Sequence, residues 1–173
     1  MNGGAVLSAC GRYRYRLWRH LPASLVLTAR GCVCWVMLNP STADASKDDP
    51  TLRKCMGFSE RWGYTELQVV NLFAWRSTEP RGLLYTQGSP VGADNAEHID
   101  VAMGRAERVV LAWGRPEPGL RLMVSQRADE VRRHIAAMGR ALEVGCLGRA
   151  QDGSPRHPLM LAYDTAFERV VVE

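Results

Sequence analysis

Lysine is almost missing from this chain. Lys47 and Lys54 stand against twenty arginines in 173 residues, so the net charge of +4 is carried by planar, bidentate guanidinium groups. That fits contact with phosphates or nucleic acid. It fits a coding bias toward arginine equally well, and +4 is too modest to decide between them. Long apolar runs are missing too. Val33–Leu38 is far too short to cross a bilayer, so no transmembrane helix and no membrane partner are expected. The N-terminal residues have no basic start and no long apolar stretch, so a signal peptide is not expected and the chain reads as cytoplasmic. No CxxC pair occurs among Cys10, Cys32, Cys34, Cys55 and Cys146, which argues for reduced thiols over a metal cluster. There is no P-loop, no GxGxxG and no HExxH, and Ser41 is not in a GxSxG elbow; those chemistries have no support here. No cofactor and no protein partner are expected.

What is present is globular. Hydrophobic residues make up 46% and charged residues 23%, enough to bury one core at this length. Tyr13–Arg19 alternates large apolar and basic residues, the period of a half-exposed strand, with its arginines on one face and its aromatics on the other. Leu25–Thr28 is the expected return strand of an N-terminal hairpin. Val33–Leu38 is continuously apolar, as in a strand covered on both faces. Asp49-Pro50 opens a helix that runs to Trp62 and stops at Gly63. Strands follow at Leu67–Phe73, Val109–Gly114 and Leu142–Leu147, with helices at Asp94–Gly104 and Ser125–Met138 between them. Ala162–Val172 reads as a closing helix or an edge strand. Strands alternating with helices predict a single α/β domain over residues 1–173. It would be a three-layer α/β/α sandwich with a central, mostly parallel sheet of about four strands, plus the hairpin.

In such sheets ligands bind beyond the carboxyl ends of the strands. Four ends are polar or turn-forming: Asn39-Pro40-Ser41-Thr42, Asn71, Trp113-Gly114 and His157-Pro158. Each alone reads as ordinary turn or core chemistry. At successive strand ends they predict a shared cleft.

These segments carry a resemblance. Asn39-Pro40-Ser41-Thr42-Ala43-Asp44, Asp48-Asp49-Pro50-Thr51, Trp62-Gly63-Tyr64, Asn71-Leu72-Phe73-Ala74, Ala112-Trp113-Gly114 and His157-Pro158-Leu159 resemble a bacterial and phage family known as domain of unknown function 1643. It supplies no activity. More distantly, the order of these motifs resembles the uracil-DNA glycosylase superfamily, with an Asn/Asp-Pro motif after the first core strand, an Asn after the second and a His-Pro motif last. Met37 stands where that superfamily has Gly, the last motif lacks its serines, and the four-cysteine cluster of some members is absent.

That resemblance implies hydrolysis of an N-glycosidic bond in DNA or a nucleotide, with an extruded nucleotide in the cleft. Asn39 would orient a water, Pro40 would fix the loop, and His157 would stabilise the departing base. Asn71 offers both a donor and an acceptor to a base edge, and Phe73 or Tyr64 would stack on it. Ser41, Thr42 and Trp113 would line the cleft, while Arg76 and Arg156 would meet phosphates. Asp44 is placed with the catalytic set, and it also reads as a fixture of the Asn-Pro loop. Two other readings stand beside this one. The same fold would serve a non-catalytic nucleic-acid or nucleotide-binding module. Asp44, Asp48 and Asp49 would otherwise hold Mg²⁺ in a phosphoesterase, although a helix cap is the simpler reading of Asp49.

Overall fold

The computed structural model describes residues 3–22 and 29–172. Within them, β1 (Gly3–Leu7), β2 (Arg14–His20), β3 (Arg30–Met37), β4 (Tyr64–Asn71), β5 (Ala106–Leu111), β6 (Glu143–Cys146) and β7 (Glu168–Arg169) form one sheet in the order β1-β2-β4-β3-β5-β6-β7. β3 pairs in parallel with β4 and β5, and β5 with β6. β1, β2 and β7 extend this parallel core by antiparallel pairing at its two edges.

Helices α1 (Pro50–Arg61), α2 (Asn95–Arg105) and α3 (Arg121–Ala137) cover both faces. Val33, Trp35 and Met37 of β3 pack with Leu52, Cys55 and Phe58 of α1. Their alternates, Cys34 and Val36, pack with Ile99 and Met103 of α2 and Val124 and Ala128 of α3. Coverage on both sides is why this segment shows no period of two. The chain leaves β3 through α1 toward β4, and leaves β5 through α3 toward β6 in the opposite direction. The crevice beyond the ends of β3 and β5 is therefore the place where such a sheet accepts a ligand.

Local chemistry sets the element ends. Asp49 Oδ1 accepts the Leu52 amide at 2.7 Å and Pro50 takes the first turn, so α1 starts where the sequence predicts. Gly63, at φ +83°, ends it. α3 begins four residues ahead of the expected Ser125, because a 3₁₀ turn over Pro118–Leu120 feeds directly into it. The closing segment is an edge strand, β7, and not a helix.

The N-terminal hairpin differs from expectation in its partner. β2 pairs with Gly3–Leu7, which the sequence pattern did not mark as a strand; the expected return strand Leu25–Thr28 lies outside the described residues. The register also shifts between Val6, opposite Arg16, and Leu7, opposite Arg14, making Tyr15 the extra residue of a bulge. Strict alternation fails there. Tyr15 stacks on His98 of α2, and Arg16 lies over the Trp18 ring at 5.1 Å. Leu17 joins the core on the α1 side, while Arg14 and Arg19 bond the carbonyls of Ala43 and Asp44 in the loop before α1. The arginines thus do not share one face.

Candidate active site

A cavity of about 370 Å³ opens at the carboxyl ends of β3, β4 and β5. That volume lies within the usual range for small-molecule sites, about 300–1,000 Å³. Asn39, Ser41, Asn71, Trp113 and His157 all line it, so five residues from four separated segments meet as the strand-end argument requires.

Loop bonds hold these residues in place. The Leu72 and Phe73 amides donate to Met37 O and Leu38 O, and the Ala112 amide donates to Val36 O. Pro40 O accepts the Ser77 amide at 2.9 Å and Asn39 Nδ2 at 3.1 Å. Asn39 Nδ2 also donates to Ser77 O at 2.9 Å, which spends the amide donors and leaves Oδ1 as the acceptor. Gly114 has φ +78° and donates its amide to Pro155 O. A Cβ at that position would lie 3.0 Å from His157 Cβ, so a glycine lets the His157 segment close over the strand end.

The floor of the cavity is buried and the mouth is open. Arg14, Leu17, Leu52, Cys55, Val69 and Asn71 are buried; Asn39, Ser41, Thr51, Ser77 and His157 are half-buried; Thr78 and Arg115 are exposed. Asn71 is 1% exposed, and neither its Oδ1 nor its Nδ2 has a hydrogen-bond partner. Arg14 is 4% exposed and donates Nη1 to Ala43 O at 2.6 Å, while its Nε has no partner. Burial pulls the Arg14 guanidinium down to about 10, against the opposing pull of Asp49. Asp49 is the one carboxylate in the lining among the described residues; its Oδ1 caps α1, which leaves Oδ2 for the cavity.

His157 sits half-buried, and burial lowers its pKa, with Asp49 pulling weakly the other way. The Leu159 amide donates to His157 Nδ1 at 3.3 Å. The neutral ring therefore carries its proton on Nε2, a hydrogen-bond donor near neutral pH.

Other sequence candidates lie elsewhere. Asp44, taken as catalytic, is outside the lining: its Oδ1 accepts the Ser46 and Lys47 amides at 2.9 Å each and the Ser46 hydroxyl at 3.1 Å, which closes its own loop. Phe73 is buried in the core on the α2/α3 side, and Tyr64 sits at the start of β4 under Arg30, at the wrong end of the strand; neither can stack on a ligand in the cavity. Arg76 donates to Gly11 O and Arg156 is exposed, both outside the lining. Thr42 is exposed and Pro40 contributes loop structure. Asp44, Asp48 and Asp49 do not converge: Asp48 pairs with Arg19 at 2.7 Å and Asp49 caps α1, and no group of three or more His, Cys, Asp or Glu with metal-site geometry occurs among the described residues. No helix among them is long and apolar enough to cross a membrane.

Among the lining residues that sequence reasoning did not place in the site, Arg14 and Asp49 carry the charge nearest the buried floor. Arg14 was hidden by the bulge, and Asp49 by its capping role, which uses only one oxygen. A family model described as a protein of unknown function, DUF1643, matches residues 14–159. No curated protein and no solved structure matches the chain.

Proposed function

The chain belongs to the DUF1643 family, whose description names no activity, and from the cavity we propose a glycosylase-like hydrolase that cuts the N-glycosidic bond of a modified or damaged base, in DNA or in a nucleotide. The observation that carries this reading is Asn71. A primary amide with both its donor and its acceptor unpartnered on the floor of a cavity is costly to keep, about 1–3 kcal/mol for each unsatisfied group. A base edge offers the complementary pair. The order of Asn39-Pro40, Asn71, Trp113-Gly114 and His157-Pro158 along the chain supports the likeness to the uracil-DNA glycosylase superfamily on which the reading leans.

The chemistry follows from charge. In glycosidic hydrolysis a water oxygen bonds to C1′ as the C1′–N bond breaks, and the base leaves with the bonding electron pair. The departing base is anionic and the sugar is oxocarbenium-like, so donors aimed at the base and an acceptor aimed at the water lower the barrier. Asn39 Oδ1 accepts a hydrogen bond from the water and orients it. Asp49 Oδ2 takes the proton that the water loses, work an amide cannot do. His157 Nε2–H and the buried Arg14 cation hold the negative charge of the base, which takes its proton from solvent. Trp113, held in the core with Arg132 over its ring at 5.3 Å, forms part of the wall of the same space.

The test is incubation of the protein with single- and double-stranded oligonucleotides, each bearing one modified or deaminated base, and with free nucleotides. Release is read by chromatography, and in strands by alkali cleavage. Free base released by the wild type and lost in Asn39→Ala supports the reading. Binding without release in every case leaves the non-catalytic binding module of the same fold in its place.

A further inference from the structure

The floor of the cavity presents a specific hydrogen-bond pattern. Arg14 spends Nη1 on Ala43 O, and its Nε is buried without a partner. This leaves the side-on edge of the guanidinium, Nε beside Nη2, as two parallel donors that fit two neighbouring acceptors. Asn71 adds one acceptor and one pair of donors, also unpartnered. The two residues stand on neighbouring strands and line one cavity: β2 pairs with β4, and the Arg14 amide donates to Ala74 O, three residues past Asn71.

We infer that the cavity selects an oxopurine, a guanine- or hypoxanthine-type base. This rests on the nucleobase reading above and names its substrate class. An oxopurine carries N7, O6 and N1–H in sequence, that is acceptor, acceptor, donor. Arg14 takes N7 and O6, the commonest bidentate contact made to guanine. Asn71 Oδ1 accepts from N1–H, and its Nδ2 donates to the second lone pair of O6. Uracil and thymine place a donor between two acceptors, and adenine places its amino group between N1 and N7; neither satisfies the guanidinium edge. Cytosine does have adjacent acceptors, N3 and O2, but O2 abuts the glycosidic nitrogen. Seating O2 on Arg14 would drag the sugar to the buried floor, away from Asn39 and His157 at half depth. The oxopurine edge enters first, with O6 and N1 leading, and the glycosidic nitrogen trails toward those two residues.

The experiment is a binding titration of the full chain with guanosine, inosine, adenosine, cytidine and uridine, repeated with short strands that are abasic except at one position, which carries one of the five bases. The expected result is a preference of at least about fivefold for guanine and hypoxanthine over the other three, the lower end of what one bidentate contact discriminates. Arg14→Lys keeps the charge and removes the fork, and is expected to weaken oxopurine binding by roughly five- to 150-fold while changing the other bases little. Equal or tighter binding of uracil, adenine or cytosine by the wild type overturns the oxopurine assignment and leaves the nucleobase reading intact. A preference that survives Arg14→Lys also overturns it. Binding of none of the five bases, free or in a strand, removes the nucleobase reading and this inference with it.

Discussion

Two buried asparagines should respond to the same substitution with opposite signs. Asn71 and Asn95 are 1% and 0% exposed. Asn95 Nδ2 donates to Asn71 O at 3.1 Å and Leu72 O at 3.2 Å, so its side chain stitches the end of β4 to α2. The Asn71 amide bonds nothing. In Asn95→Leu both of these hydrogen bonds disappear, although Leu72 O keeps Arg127 Nε at 2.9 Å and the unpartnered Asn95 Oδ1 goes as well. The expected cost is about 1–3 kcal/mol. In Asn71→Leu a buried, unsatisfied amide becomes an apolar group of similar length beside Leu17, Met37 and Val69, with cavity space to absorb the difference. The expected gain is about 1–3 kcal/mol. For a domain of this size 1 kcal/mol moves Tm by about 2–4 °C, so thermal unfolding without ligand should separate the variants clearly. Asn71→Leu should also abolish ligand binding, the usual trade of function for stability. If it melts below the wild type, the Asn71 amide has structural work to do and the reasoning that makes it a ligand contact is wrong.

Three further outcomes are expected. Asp49→Ser keeps a capping oxygen and should leave stability within about 0.5 kcal/mol, whereas Asp49→Ala loses the cap at about 1 kcal/mol; both should lose base release, and a fully active Asp49→Ser would rule out the carboxylate as proton acceptor. Burial lowers the His157 pKa below 6.5, so between those values the folded chain binds fewer protons than the unfolded one; this contribution is complete above about pH 6.5 and is lost as pH falls through the folded pKa. His157→Gln should flatten that part of the stability profile in denaturant titrations run from pH 7.5 to 5. Finally, Cys10 is exposed and its thiol is lowered to about 7 by Ser8 and Arg12, while burial raises Cys32, Cys34, Cys55 and Cys146. A disulfide dye at pH 7.5 should find one fast thiol in the folded protein, absent in Cys10→Ser.

The parallel core was readable because its signals are local. Val33–Leu38, Asp49-Pro50 and Gly63 each announce an element or an end by composition alone. The cleft residues Asn39, Asn71, Trp113 and His157 followed from one rule about strand ends, and that rule places all four in one cavity. The rest depended on pairing. β1 contains Gly3 and Gly4, which carry no strand preference; a Cβ at Gly3 would lie 2.3 Å from Trp18 O, so close approach to β2 selects glycine there. The bulge at Tyr15 depends on register with Val6 and Leu7, so no period read along the chain could aim Arg14 at the cavity. Phe73 and Tyr64 show the converse error. Their ring chemistry suits stacking, but β4 ends at Asn71, so the alternation that sets Val69 and Asn71 on the cavity face stops short of Phe73, which packs in the opposite layer, while strand direction puts Tyr64 at the opposite end. Asp44 went to its own loop because three donors, the Ser46 and Lys47 amides and the Ser46 hydroxyl, lie within three residues of it.

The central claim is that this cavity breaks a bond between a base and a sugar. Mass spectrometry of the products from a nucleotide and from a base-bearing strand, with enzyme in excess and Asn39→Ala in parallel, tests it most directly. The account predicts free base together with a base-less sugar phosphate or abasic strand, no inorganic phosphate, and loss of both products in Asn39→Ala. Release of inorganic phosphate with the base still on its sugar, or free base formed equally well by Asn39→Ala, would contradict it.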